Sequence, residues 1–123
     1  MHTFGFERLE VWKRSRILTK QIYMVTQTFP DSEKFGLVNQ MQRAVISICS
    51  NIAEGASRRS NKDQAHFYNM SFSSLMEILN QLILSNDLEY LDEKTLSELR
   101  SEIQLISLML NNLSDSASKK NQK

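Results

Sequence analysis

The feature that most constrains this chain lies near its end. Leu96, Leu99, Ile103, Ile106, Leu110 and Leu113 alternate spacings of three and four. That is an a/d heptad seam, a stripe only a helix can gather on one side. A helix with one apolar stripe must bury it against partners, so the rest of the chain is expected to supply them. Three glycines and one proline in 123 residues leave too little turn chemistry for a β-sandwich or barrel. The fold class is therefore all-α.

Three further helical segments precede the seam. The first is expected from about Glu7 to Thr28, with Val11, Ser15, Leu18, Ile22, Val25 and Phe29 on one narrow face. It ends at Phe29-Pro30, because a proline disfavours helical geometry in the residue before it. The second is expected from Glu33 to Glu54, closed by Gly55 in the left-handed C′ position. Ser60 and Asp63 then resemble an N-capping box for a third helix over Asn61 to Ser85. Asp92 is the expected N-cap of the fourth. Short connections favour antiparallel neighbours, hence an up-down-up-down four-helix bundle. Residues 1–123 read as a single domain, ordered over about 6–114, with 115–123 a frayed polar tail.

The third helix is apolar around about half its circumference, against the ~100° stripe of a surface helix. Phe67, Ser71, Ser74, Ile78 and Leu82 form one seam, and Phe72, Met76, Leu79 and Ile83 a second. One seam faces the bundle core; the second needs another partner, and self-association through Phe72, Met76, Leu79 and Ile83 is the economical answer.

The second helix carries Arg43, Ser47, Ser50 and Glu54 within ~60° of one another, with Asn51 beside them. Arg43 and Glu54 lie ~16 Å apart along the axis and cannot pair directly, so each looks to another helix or another chain. Glu77 of the third helix is available. The line reads as a polar seam or interface, set against an ordinary solvated face.

Reactive chemistry is sparse. The lone Cys49 has no histidine near it in sequence, and one cysteine offers neither a disulfide nor a zinc set. A di-metal bundle site needs carboxylates from four helices and two Glu-x-x-His pairs, whereas Asp63 and His66 are the only comparable pair here. No catalytic residue, metal, cofactor or small-molecule substrate is expected. The N-terminus lacks the apolar run of a signal peptide, and no stretch reaches 18 apolar residues, so a cytoplasmic protein without a membrane partner is expected.

Net charge is +1 but uneven. Residues 1–29 hold five basic and two acidic side chains, a net +3, while residues 87–115 hold two basic and seven acidic ones, a net −5. Lys13, Arg16 and Lys20 line one face of the first helix, opposite Val11, Leu18 and Ile22. With Arg58 and Arg59 they are candidates for meeting phosphates, set against the reading of a solvated charged face.

Read together, the residues resemble a known family. They are Leu9-Glu10-Val11-Trp12, then Phe29-Pro30, Glu33 and Phe35-Gly36-Leu37, then Gln40-x-x-Arg43-Ala44-Val45-x-Ser47-Ile48-x-x-Asn51-Ile52-Ala53-Glu54-Gly55, then Ser74-Leu75-x-Glu77-Ile78. This series is similar to the bacterial four-helix bundle proteins associated with intervening sequences of 23S ribosomal RNA genes (S23 ribosomal protein-like). The resemblance spans about Phe6 to Leu113. It implies an antiparallel bundle assembling as a homopentamer, without enzymatic activity. It also implies kinship with the accessory variability protein of diversity-generating retroelements, a basic ring that binds a reverse transcriptase and RNA. Cys49 stands where many relatives have proline, and +1 is a low charge for a nucleic-acid ring. The expected function is a self-assembling interaction module that meets RNA or a ribonucleoprotein, the alternative being a protein-protein module without nucleic-acid contact.

Overall fold

The computed structural model describes residues 1–121, with side chains described through Ser118. A 3₁₀ turn, Gly5–Arg8, leads into α1 (Glu10–Thr26); a second, Asp31–Glu33, precedes α2 (Leu37–Ser57); α3 (Asn61–Asp87) and α4 (Glu93–Asn121) follow. Side-chain contacts run in opposite numerical directions between neighbours. Thr19 meets Cys49 while Thr26 meets Gln42; Ser71 meets Ile48 while Ser85 meets Met41. Asn86 likewise meets Leu91 while Asn69 meets Ser114, so all sequential neighbours are antiparallel, and α1 closes the bundle against α4 through Arg14 and Glu102, 3.1 Å apart.

The seam of α4 is buried as its spacing requires. Leu96, Leu99, Ile103, Ile106 and Leu110 lie in the core and Leu113 at its edge. They meet Leu18 and Ile22 of α1, Met41, Val45, Ile48 and Ile52 of α2, and Leu75, Ile78 and Leu82 of α3 in one continuous cluster. Each such fully buried side chain contributes roughly 1.5–3 kcal/mol relative to exposure. Both expected N-caps form: Ser60 Oγ accepts from the Asp63 amide at 3.0 Å, and Asp92 Oδ1 from the Thr95 amide at 2.8 Å.

Several boundaries differ from the sequence reading, the first helix ending at Thr26 and the third running on to Asp87 among them. The first helix starts at Glu10 rather than Glu7, because Leu9 is extended (φ −72°, ψ 125°) after the 3₁₀ turn. The second starts at Leu37, Glu33 belonging to the preceding turn. It also runs through Gly55 to Ser57, and no described glycine has positive φ. Gly55 is thus no C′ cap; it is buried inside the helix against α3. Finally, α4 continues to Asn121 past the expected fraying point. Ser114 Oγ donates to Asn69 Oδ1 at 2.8 Å and Ala117 is buried, so this stretch of the polar sequence still has an inner face. Of the expected tail, residues 122–123 lie outside the described residues.

The width of α3 finds its explanation within one chain. The helix packs between α2 and α4, its core line being Ala65, Tyr68, Ser71, Leu75, Ile78, Leu82 and Ser85. Phe72, Met76, Leu79 and Ile83 are half-buried and pack onto the same core, Met76 and Leu79 lining a crevice with Arg100, Ile103 and Gln104 of α4. Met76 and Leu79 of the second seam therefore have a partner in α4, and the breadth of apolar surface does not by itself call for a second chain.

Candidate interaction surfaces

The polar line of α2 divides in two. Ser47 and Asn51 sit ~40° and ~80° round the helix from Arg43, on the side toward α3, while Ser50 and Glu54 stay within ~20° of Arg43 and face solvent. On the inner branch, Asn51 Nδ2 donates to Ser47 Oγ at 3.0 Å and to the Ser47 carbonyl at 2.9 Å. Ser47 Oγ lies 2.9 Å from Ser74 Oγ, so a short polar relay joins α2 to α3. One turn along, the buried Ser71 hydroxyl donates to the Ile48 carbonyl at 2.7 Å. These bonds satisfy hydroxyls that would otherwise be buried unpaired at ~1–3 kcal/mol each.

On the outer branch, Glu54 meets Arg58, one turn on, at 3.7 Å. Arg43 and Glu77 face each other across an open groove of about 460 Å³ lined also by Asn39, Gln40, Ser47 and Ser74. Among the described residues neither has an oppositely charged group within 4 Å. The expected link from Arg43 to a neighbouring helix is thus absent as an ion pair, and the inner serines and Asn51 tie the helices together instead.

The basic candidates are also of two kinds. Lys13, Arg16 and Lys20 are exposed on α1 with no acid within 4 Å among the described residues. Arg16 lies 5.4 Å from the Trp12 ring centroid. Arg14, between them, is committed to Glu102. Arg58 is held by Glu54 and by the Phe67 face, 4.6 Å from its centroid, whereas Arg59 is exposed. The antiparallel course places Arg58 and Arg59 at the end of the bundle where α1 begins, beside the N-terminal turn that packs on α2.

Cys49 is half-buried between α1 and α2, its Sγ 3.6 Å from Thr19 Oγ1. Burial pushes its thiol up, against weaker opposing effects of the Thr19 hydrogen bond and Arg16. This is the wrong direction for a nucleophile, which needs a depressed thiol. Among the described residues no group of three or more His, Cys, Asp or Glu is placed to hold a metal, and no helix is long and apolar enough to cross a membrane.

One link escaped sequence reasoning. Tyr90 OH donates to Glu33 Oε2 at 3.0 Å, and the Tyr90 ring packs on Phe29 with centroids 5.5 Å apart. This clasps the α1–α2 loop to the α3–α4 loop. No spacing rule connects positions 57 residues apart, so the only signal was an aromatic in a polar turn.

The arrangement defines an all-α antiparallel bundle in which Ser47, Asn51 and Ser74 join helices while Arg43, Glu54 and Glu77 face outward. Residues 7–112 match the model of the 23S rRNA-intervening sequence proteins, and the chain belongs to that family. Among solved structures it is similar to a protein of unknown function from the S23 ribosomal protein family of Bacteroides thetaiotaomicron. The TM-score is 0.79 at 21% identity, over 85% of this chain and 95% of that one, a likeness that shows the fold. A search of the curated proteins finds no match.

Proposed function

We propose that the chain is a non-catalytic cytoplasmic module that self-assembles, a homopentamer being the state its family resemblance implies, and that meets RNA or a ribonucleoprotein through α1. The observation that carries the RNA clause is the basic line of α1: Lys13, Arg16 and Lys20 are exposed and have no acidic partner within 4 Å among the described residues, while the adjacent Arg14 is tied down. Three unneutralised cations on one face release counterions when they meet phosphates, which supplies sequence-independent affinity. Arg59, at the same end, extends the surface; Arg58 is held by Glu54 and Phe67 and contributes less.

Binding to a labelled structured RNA across a salt series tests this. Wild-type affinity is expected to fall as salt rises, and replacing Lys13, Arg16 and Lys20 by Glu to weaken binding and flatten the slope. Absence of salt-sensitive binding by the wild type overturns the RNA clause. The protein-protein alternative is then tested by pull-down with and without nuclease, capture of a partner that survives nuclease supporting it. Sedimentation velocity tests self-assembly.

A further inference from the structure

The groove between α2 and α3 presents two opposite charges without an ion-pair partner among the described residues, Glu77 accepting only a 3.5 Å hydrogen bond from the Gln81 amide. Arg43 and Glu77 line it together, both exposed, and neither has an ionic partner within 4 Å among the described residues. Apolar side chains flank the pair. Met70 and Leu84 lie seven residues either side of Glu77, hence on the same outer line of α3, and are 42% and 45% exposed. Ile46, ~60° round α2 from Arg43, is 45% exposed. The small Ser50 keeps the ground beside Arg43 low.

A face carrying one cation and one anion side by side is complementary to itself under a two-fold rotation, which brings each residue opposite its counterpart's partner. We propose that two copies of the chain meet face to face across this groove, Arg43 of each pairing with Glu77 of the other. The inference rests on the self-assembly reading above and adds a particular contact to it. Being two-fold, this contact is distinct from the head-to-tail contact that closes a five-membered ring, and joins single chains or whole rings in pairs. Desolvation in the joint strengthens the ion pairs relative to exposed ones, and Ile46, Met70 and Leu84 supply the apolar area around them.

Complementary charge reversal tests it. Arg43→Glu places two acids on the face and Glu77→Arg two bases, so each variant alone repels its own copies while the two attract one another. In sedimentation velocity at low salt, each single variant is expected to weaken association by about tenfold or more. An equimolar mixture is expected to recover wild-type association. Unchanged helical circular dichroism and melting temperature show that each variant is folded. If the wild type assembles but both variants assemble equally well, this contact is wrong and self-assembly stands. If the wild type remains monomeric across micromolar concentrations, self-assembly fails and takes the contact with it.

Discussion

A Cβ built on Gly55 would lie 2.7 Å from Tyr68 Cε1 and 3.0 Å from the Phe67 Cβ. The α2 backbone therefore packs directly onto side chains of α3, and the glycine is there for closeness rather than for a left-handed turn. Gly55→Ala adds a methyl where the neighbour is a buried ring and a Cβ, neither free to swing aside. The gain in helix propensity, ~1 kcal/mol, is outweighed by overpacking of about 1–3 kcal/mol. Lower stability on urea denaturation is expected, and a more stable variant would show that the two helices have room to part.

Glu89 illustrates the opposite case. It has φ 64°, and the bonds from Tyr90 N to Ser85 O (2.9 Å) and from Glu89 N to Asn86 O (3.0 Å) make it the C′ residue of a Schellman motif. A side chain in left-handed geometry costs roughly 1–2 kcal/mol. Glu89→Gly is expected to recover up to about 1 kcal/mol of this, the flexibility of glycine in the unfolded chain offsetting the rest. Thermal melts of the two proteins decide it.

Ser15 is fully buried in α1, and its hydroxyl has no hydrogen-bond partner among the described residues. Ser15→Ala removes an unsatisfied polar atom at little cost in volume, so stability is expected to stay level or rise by ~1 kcal/mol. The contrasting change is Ser71→Ala, which removes a buried hydroxyl that donates at 2.7 Å to the Ile48 carbonyl, a second bond on an oxygen inside α2. It is expected to lower stability by ~1 kcal/mol. Comparing the two variants by denaturant midpoint separates an orphaned hydroxyl from a bonded one.

The Asp92 carboxyl is held below the usual carboxylate range, first by the Thr95 side-chain and backbone hydrogen bonds and lastly by Lys94. A depressed folded-state value means the carboxylate stabilises the fold above its unfolded value, near 4. That contribution is lost as pH falls through the folded value. Asp92→Asn keeps a capping oxygen and removes the titration. Its deficit against wild type is expected at neutral pH and should shrink below about pH 4; a deficit unchanged to pH 2 would assign it to geometry rather than charge.

Burial of Cys49 beside Thr19 predicts sluggish chemistry. A raised thiol holds less thiolate, the reacting form, at pH 8. Reaction with Ellman's reagent is expected to be slower than for a free cysteine in denaturant, and Thr19→Gly, which opens the site, should speed it.

Much of the bundle was legible because it rests on local rules. The α4 spacing of three and four survives as the buried stripe from Leu96 to Leu110, and the Ser60 and Asp92 caps need only residues three apart. The division of the polar line was less visible. Its members share a side of α2, but a difference of ~40–80° around the axis decides which touch α3 and which meet water. That angle has meaning only once the neighbouring helix is in place.

The sequence by itself determined the number of helices, their approximate extents and the apolar stripes that drive them together, since these follow from periodicity and capping within a few turns. Tertiary structure alone decided what each ambiguous residue is for. Gly55 became a point of close approach because Tyr68 arrives there, the second seam of α3 came to rest half-buried against the core, and Glu33 found Tyr90 across 57 residues. Arg43 and Glu77 were left facing one groove with no partner of opposite charge among the described residues. Contacts between distant positions depend on the packing of whole helices, and no short-range pattern encodes them.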